Sequence, residues 1–366
     1  MKNGFIGQNL RLIRLFHGLS LQDLGEEIDV SKQFLSRLES GVETPSSSLH
    51  DALVKRLRVL DGFFHDVDPM PISDEQCHFR KQLTTKVVLR QQARARGEMF
   101  KRITGVLDRE LELPSYSFKE YEPFDAEAIE RASERCRIDW GLGFGPIANM
   151  VRVAETAGAV VVRMNQMASE IDAISFATKR PLIVLNAHDK SACRSRFGVA
   201  HEIGHLILHI GTLTGDKVTE GEANRFASAF MMPRSIFIAE CARAIRGTRT
   251  LNWSTLSEIK LRWGVSKAAI LYRGRQLGVF SEVLYKSGVI GLTRHGEARM
   301  EDEDEDMLHE LPEILPSSLD VLAQSCGINL ASLSRQILVE PEITKELLGE
   351  SLPTKNISNV VKLFAN

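Results

Sequence analysis

Three residues in one short stretch are spaced for metal chemistry. His201-Glu202-Ile203-Gly204-His205 reads H-E-x-x-H. Histidines four apart on a helix share one face, so both imidazoles can reach one ion. Glu202 sits one step off that face, where it can reach a water at the ion but not the ion itself. Ala200, Ile203, Leu206 and Ile207 are apolar, as a buried active-site helix requires. A catalytic zinc takes a third protein ligand and keeps one position open. The best source is the segment Glu220 to Pro233, whose apolar stripe is Ala223, Phe226, Ala227 and Phe230. At ~100° per residue, Glu220 lies about 70° to one side of that stripe and Glu222 about 90° to the other. The preference for Glu220 is slight, and Asn224, four residues on, offers it a supporting partner. His209 continues the series. A straight helix separates successive histidines by ~6 Å of rise, so His209 reads as a packed or supporting residue. His188 reads as a loop histidine with a lesser claim as an oxyanion donor. Arg194 and Arg196 read as structural.

A second set of residues has the chemistry to read DNA. Between Leu19 and Gly41 two short helices meet at a tight turn. Ser20, with Asp23 three residues on, is placed to cap the first helix, and Ser31 to cap the second. Ser31, Lys32, Gln33, Ser36 and Arg37 then lie where a recognition helix meets base edges and phosphates. Gln and Arg pair bidentately with adenine and guanine. Gln22 opens the preceding helix, where it can hold a phosphate. Residues 1–60 carry eight Lys or Arg and seven Asp or Glu, a net +1. Weak net charge implies modest non-specific affinity, which a homodimer would raise.

With Gln22, Val30-Ser31, Ser36, Glu39-x-Gly41 and Pro45, residues of roughly 5–60 resemble the Xre/Cro-type helix-turn-helix family. Gly25 stands where that family usually has alanine, and a small stability cost is expected from glycine. Arg196 to His209, then Glu220-x-x-Ala223-Asn224-x-Phe226-Ala227 and Met231-Met232-Pro233, resemble the ImmA/IrrE metallopeptidase family over roughly 140–240. Two spaced motifs in order are far more specific than the bare pentapeptide. The resemblance implies a small gluzincin-like zinc site with His201, His205 and Glu220 as ligands and Glu202 as general base. It implies a protein substrate, a repressor first of all. It also implies that the strand ending at Asn186 is an edge strand on which an extended substrate can pair. Residues 250–280, with Trp253, Val265-Ser266 and Arg273, resemble the tail of longer members that carry both domains.

These residues need elements to position them. Apolar spacing gives helices around Ile6 to Phe16, Leu21 to Ile28, Phe34 to Leu38 and Leu49 to Leu57. Residues 78–102 read as a basic helix of net +7, a solvated connector or a phosphate contact beside the DNA reader. Gly158 to Val162 and Pro181 to Asn186 read as buried strands, and Ile174 to Ala177 as a weaker one. The run Glu301 to Asp306 reads as a disordered, solvated loop. The expected architecture is multidomain and mainly α. It comprises an all-α helix-turn-helix over 1–62, a basic helical linker over 63–120, a small α+β metallopeptidase domain over 121–285, and an acidic loop with a helical C-terminal region over 286–366.

Composition narrows the class. The chain has 366 residues, with 46 Lys or Arg against 48 Asp or Glu, a net −2. That excludes binding nucleic acid by bulk charge, though not a local DNA-reading surface. No apolar run reaches the ~18 to 20 residues of a membrane helix. The first residues lack a signal peptide's apolar core. Five dispersed cysteines form no C-x-x-C pair, so a reducing cytoplasm is expected. The expected function is a DNA-binding regulator with zinc endopeptidase activity. The alternatives are a transcription factor whose peptidase-like domain only senses a ligand or metal, and one half of a toxin–antitoxin or phage-defence pair. An endopeptidase free in the cytoplasm calls for latency, yet no inhibitory segment stands out.

Overall fold

The computed structural model describes residues 4–68, 70–79, 87–123, 125–164, 172–186, 191–246 and 250–352. The N-terminal cluster comprises α1 (Gly7–Phe16), α2 (Leu21–Glu27), α3 (Lys32–Glu39) and α4 (Ser47–Leu57). Local chemistry sets the starts. Ser20 and Asp23 close a reciprocal capping box, and Ser31 accepts from the Phe34 amide. Arg14 on α1 grips Glu39 on α3 through two buried hydrogen bonds of 2.6 and 2.9 Å. A β-carbon on Gly25 would lie 2.4 Å from the Val30 carbonyl oxygen. Glycine is therefore what allows the α2–α3 turn to close so tightly, which corrects the reading of Gly25 as a stability cost.

A helix expected over 78–102 is in part a strand. β1 (Cys77–Phe79) comes first, and α5 (Val87–Glu110) starts later. Arg80, Lys81 and Lys86 lie outside the described residues. α5 is not solvated: Met99, Phe100, Ile103 and Leu107 have no exposed surface. Four of its cations are paired, Arg94 with Asp74 at 2.5 Å, Arg96 with Glu346 at 2.8 Å, Arg102 with Asp66 at 2.9 Å, and Lys101 with Asp68. A phosphate contact by these four side chains loses its basis.

Next come α6 (Ala126–Asp139), α7 (Met150–Thr156), β2 (Val160–Met164), β3 (Ala173–Phe176), β4 (Leu182–Asn186), α8 (Ala192–Leu208) and α9 (Lys217–Met231). They are followed by α10 (Arg234–Arg243), α11 (Trp253–Trp263), α12 (Lys267–Gln276), α13 (Glu282–Arg294), α14 (Ile314–Ser325), α15 (Leu330–Gln336) and α16 (Pro341–Leu348). The expected strands thus form, within a mixed sheet of order β1-β3-β4-β2. β2 and β4 are parallel, while β3 is antiparallel to both β4 and β1. β4, ending at Asn186, is therefore interior rather than an edge, because β3 covers one side of it and β2 the other. The β1 residues Cys77 and His78 lie opposite Phe176 and Ser175.

Side-chain alternation gives the sheet two apolar faces. Val161, Ile183 and Leu185 join α6 to α9 and their neighbours in one core. Val160, Val162, Ile174, Phe176 and Val184 join the N-terminal helices, α5 and α14 to α16 in the other. The C-terminal helices therefore fold back on the N-terminal cluster, and the Leu60 amide donates to the Leu338 carbonyl at 2.9 Å.

The acidic run is also ordered, contrary to its reading as a solvated loop. Asp302–Asp306 forms a 3-10 turn. Lys260, with no exposed surface, reaches Glu301 at 2.7 Å and Asp304 at 2.5 Å. Lys267 reaches Glu297 at 2.6 Å and Glu303 at 2.8 Å. Two buried ammonium groups need counter-charges, and the acidic run supplies them. α12 is fixed against the first core by Arg273, which makes a bidentate pair with Glu130 at 2.5 and 2.8 Å.

Candidate metal centre

α8 and α9 hold the site. α8 starts at the Ser191 cap and is apolar around its motif, with Val199, Ala200, Ile203 and Ile207 fully buried. Gly204 lies between the two histidines of the motif. A β-carbon there would stand 3.2 Å from the Phe226 ring and 3.3 Å from the Ala223 backbone. Its absence lets α9 lie close. Asp216 caps α9 by accepting from the Val218 and Thr219 amides, which puts Glu220 in the first turn.

His201 Nε2 and His205 Nε2 are 3.0 Å apart. Glu220 presents Oε2 3.4 Å from the first and Oε1 3.3 Å from the second. One donor atom from each residue lies within 4.8 Å of the others, and all three residues are buried or nearly so. The outer nitrogens are occupied: His201 Nδ1 meets Asn224 Oδ1 at 3.1 Å, and His205 Nδ1 meets His209 Nδ1 at 2.9 Å. His209 Nε2 in turn meets Glu222 Oε2 at 2.9 Å. Burial pushes His205 down to about 3, which keeps the ring neutral, the form that ligates metals. Burial raises Glu220, but His201 and His205 outweigh it and hold the carboxyl down to about 2. Two imidazole lone pairs and a carboxylate converging among buried side chains fit zinc. Glu202 is buried on the same helix turn, 1% exposed.

Tertiary packing thus chooses Glu220 over Glu222 as the acid beside the histidines. Glu222 instead braces His209, the supporting histidine the spacing implied. Asn224 supports His201 rather than Glu220. Arg194 pairs with Asp172, and Arg196 ties the helix start to the Ile147 and Gly264 carbonyls, both structural. His188 lies outside the described residues.

One residue at the site has no signal in the sequence. His78 on β1 is fully buried, and its ring lies parallel to that of His205, centroids 5.2 Å apart and planes 8° apart. Its Nδ1 meets Thr214 Oγ1 at 3.1 Å. Nothing in the local sequence connects His78 with the motif on α8, because only sheet pairing brings them together.

The residues expected to read DNA lie together on the surface. Gln22, Ser31, Lys32, Gln33, Ser36 and Arg37 are all exposed, on α2 and at the start and outer face of α3. Gln22 Nε2 donates to Glu26 at 2.6 Å, and Arg37 leans over the Phe34 ring at 5.6 Å.

Fold and site together describe a helix-turn-helix module joined to a metallopeptidase-type domain. The chain matches the helix-turn-helix model over residues 10–59 and the IrrE N-terminal-like domain model over residues 154–274. It carries an Xre-type helix-turn-helix domain and an ImmA/IrrE-type metallopeptidase domain. No curated protein matches the chain.

Proposed function

We propose that this protein is a DNA-binding regulator with zinc-dependent endopeptidase activity, acting in the cytoplasm on a regulatory protein, a repressor first of all. The observation that carries this reading is the convergence of His201, His205 and Glu220 at 3.0 to 3.4 Å, with Glu202 buried on the same turn. A ligand or metal sensor needs no general base, so Glu202 favours hydrolysis over sensing.

His201, His205 and Glu220 would hold the ion, with Asn224 and the Glu222–His209 pair fixing the orientation of the two imidazoles. A zinc ion there supplies acidification of water and polarisation of the scissile carbonyl. Glu202 takes the proton of the attacking water and returns it to the leaving amine nitrogen as the C–N bond breaks. The exposed face of α3 would enter the major groove, with Gln33 and Arg37 at base edges and Gln22 at a phosphate. The homodimer and the domain limits at 62, 120 and 285 belong to the same proposal. Among the described residues, no helix is long and apolar enough to cross a membrane.

Elemental mass spectrometry of the purified protein tests the site. About one zinc per chain, lost in His201→Ala, is the expected result. No zinc after reconstitution would remove the peptidase reading.

A further inference from the structure

The edge of β3 nearest the metal centre is already taken. β1 lies antiparallel along it, with Cys77 opposite Phe176 and His78 opposite Ser175. The Ala177 amide donates to the Gln76 carbonyl at 2.8 Å, and Gln76 Nε2 returns a bond to the Ala177 carbonyl at 2.9 Å. An extended peptide recruited to this sheet edge would need those same backbone groups. Alternation along β1 sends Cys77 into the core on the far face and His78 toward α8, where its ring covers His205. A peptide side chain and carbonyl approaching the ligand cluster would meet that ring first.

From this geometry we infer that β1 is a built-in pseudo-substrate strand, which keeps the peptidase latent until it leaves β3. The inference rests on the peptidase reading above and supplies the inhibitory segment that the sequence does not reveal. Two features suit a reversible dock. The strand is only three residues long. Its docked state also leaves His78 Nε2 and Ser175 Oγ buried without hydrogen-bond partners among the described residues. Buried polar atoms without partners weaken the closed form.

The segment leading into β1 is anchored on the helix-turn-helix side. Asn9 on α1 donates to the Phe63 and Asp66 carbonyls at 2.8 and 2.7 Å. The Ile72 amide donates to Glu98 on α5 at 2.6 Å, and Asp74 pairs with Arg94. Release of the strand is therefore tied to the α1–α5 side of the molecule, away from the ligand cluster.

The test uses the zinc-loaded full chain with Cys326, the exposed cysteine, changed to serine. Phe176→Cys puts a thiol opposite Cys77. The hydrogen bond between Ala177 and Gln76 makes Cys77–Phe176 a non-hydrogen-bonded pair, whose close spacing suits a disulfide. Oxidation locks β1 in place, and a phosphine reductant frees it. The probe is a fluorescein-labelled tetrapeptide hydroxamate, read by polarisation. The oxidised form should not bind it and the reduced form should. His78→Pro deletes a ladder donor together with the ring, and should bind about tenfold more tightly than the unmodified strand as the competent fraction rises. In the chain with native Cys77, peptide hydroxamate should speed alkylation of this buried thiol, whereas acetohydroxamate should not.

Equal binding by the oxidised and reduced forms would overturn the proposal, since the peptide would then pair elsewhere. So would a Cys77 alkylation rate unchanged at saturating peptide, and this readout stands even if Phe176→Cys fails to fold. Casein cleavage separates the two readings. If binding follows the expected pattern but no form cuts casein, the peptidase reading falls and the occluding strand stands. If every form binds and cuts equally, the strand proposal falls and the peptidase stands. Binding to no form overturns both.

Discussion

The buried clamp between α11–α12 and the acidic run sets a large, checkable energy. Lys260 has no exposed surface, and its ammonium lies 2.7 Å from Glu301 and 2.5 Å from Asp304. Lys260→Met keeps most of the stem volume and deletes the charge. Glu301 and Asp304 are then left buried, with side chains 6% and 4% exposed. Removing one partner of a buried ion pair destabilises by about 3–5 kcal/mol. At about 1.4 kcal/mol per decade, the folded-to-unfolded ratio falls by roughly two to four orders of magnitude. The chain can limit that loss by undocking residues 297–307, which would rehydrate the carboxylates. Urea unfolding therefore reads the global loss, and hydrogen exchange at the Glu301 to Asp304 amides reads the local one. Native-like stability within about 0.5 kcal/mol, together with native-like protection of those amides, would refute the clamp.

The same clamp predicts a pH window. Burial raises Glu303, but bonds from Lys267 and Ser257 outweigh it and hold the carboxyl down to about 2, below its ordinary 4.5. A depressed acid stabilises above its ordinary value, and that contribution is lost as pH falls from there toward about 2. Burial lowers Lys260 and Lys267, but their carboxylate partners outweigh it and leave both raised. Their contribution is complete below the ordinary lysine value and is lost as pH rises beyond it.

Further outcomes are expected at the other two sites. Glu202→Gln should retain zinc and DNA binding but lose cleavage; undiminished turnover of a protein substrate would remove Glu202 from the mechanism. Arg37→Ala should weaken binding to a selected operator by about 1–3 kcal/mol in a polarisation assay, and unchanged binding would take Arg37 off the reading surface. Gly25→Ala should lower stability by about 1–3 kcal/mol, because the new β-carbon meets a backbone oxygen. Helix propensity alone predicts the opposite sign, so a higher melting temperature would sink the steric account.

The parts legible in the sequence are those whose chemistry is local. A capping serine, an i to i+4 histidine pair and a run of β-branched residues each act within one turn or one strand, and the caps at Ser20 and Ser31, the two histidines and strands β2 and β4 all form. Glu220 and Glu222 flank the stripe of α9 almost symmetrically, so helix periodicity favours Glu220 only slightly. The close approach of α9 at Gly204 brings Glu220 beside the histidines. The acidic run departs from the expected solvated loop for a related reason. Six consecutive carboxylates repel one another in isolation, and the two lysines on α11 and α12 make the burial of Glu301 and Asp304 favourable. His78 and Arg14–Glu39 are pairings across long sequence separations that no single window contains.

The second core gives the helix-turn-helix module and the strand beside the candidate metal site a shared interior. Leu10 and Leu35 of the helical module, Met99 and Phe100 of α5, Cys77 of β1, Phe176 of β3 and Leu347 of α16 are buried in one apolar cluster. Interiors packed at crystal-like density transmit displacement rather than absorb it. Coupling still needs an element with two states that both sites can bias. In this molecule β1 is placed to be that element. One side chain of the strand lies in the shared core, the next covers His205, and the chain leading into it is bonded to α1 and α5. If β1 leaves β3, Cys77 must leave the core with it, so strand release and repacking beside the helical module are one event. On the proposed reading, a ligand that rearranges α1 against α5 would shift the position of β1 without touching the candidate metal site.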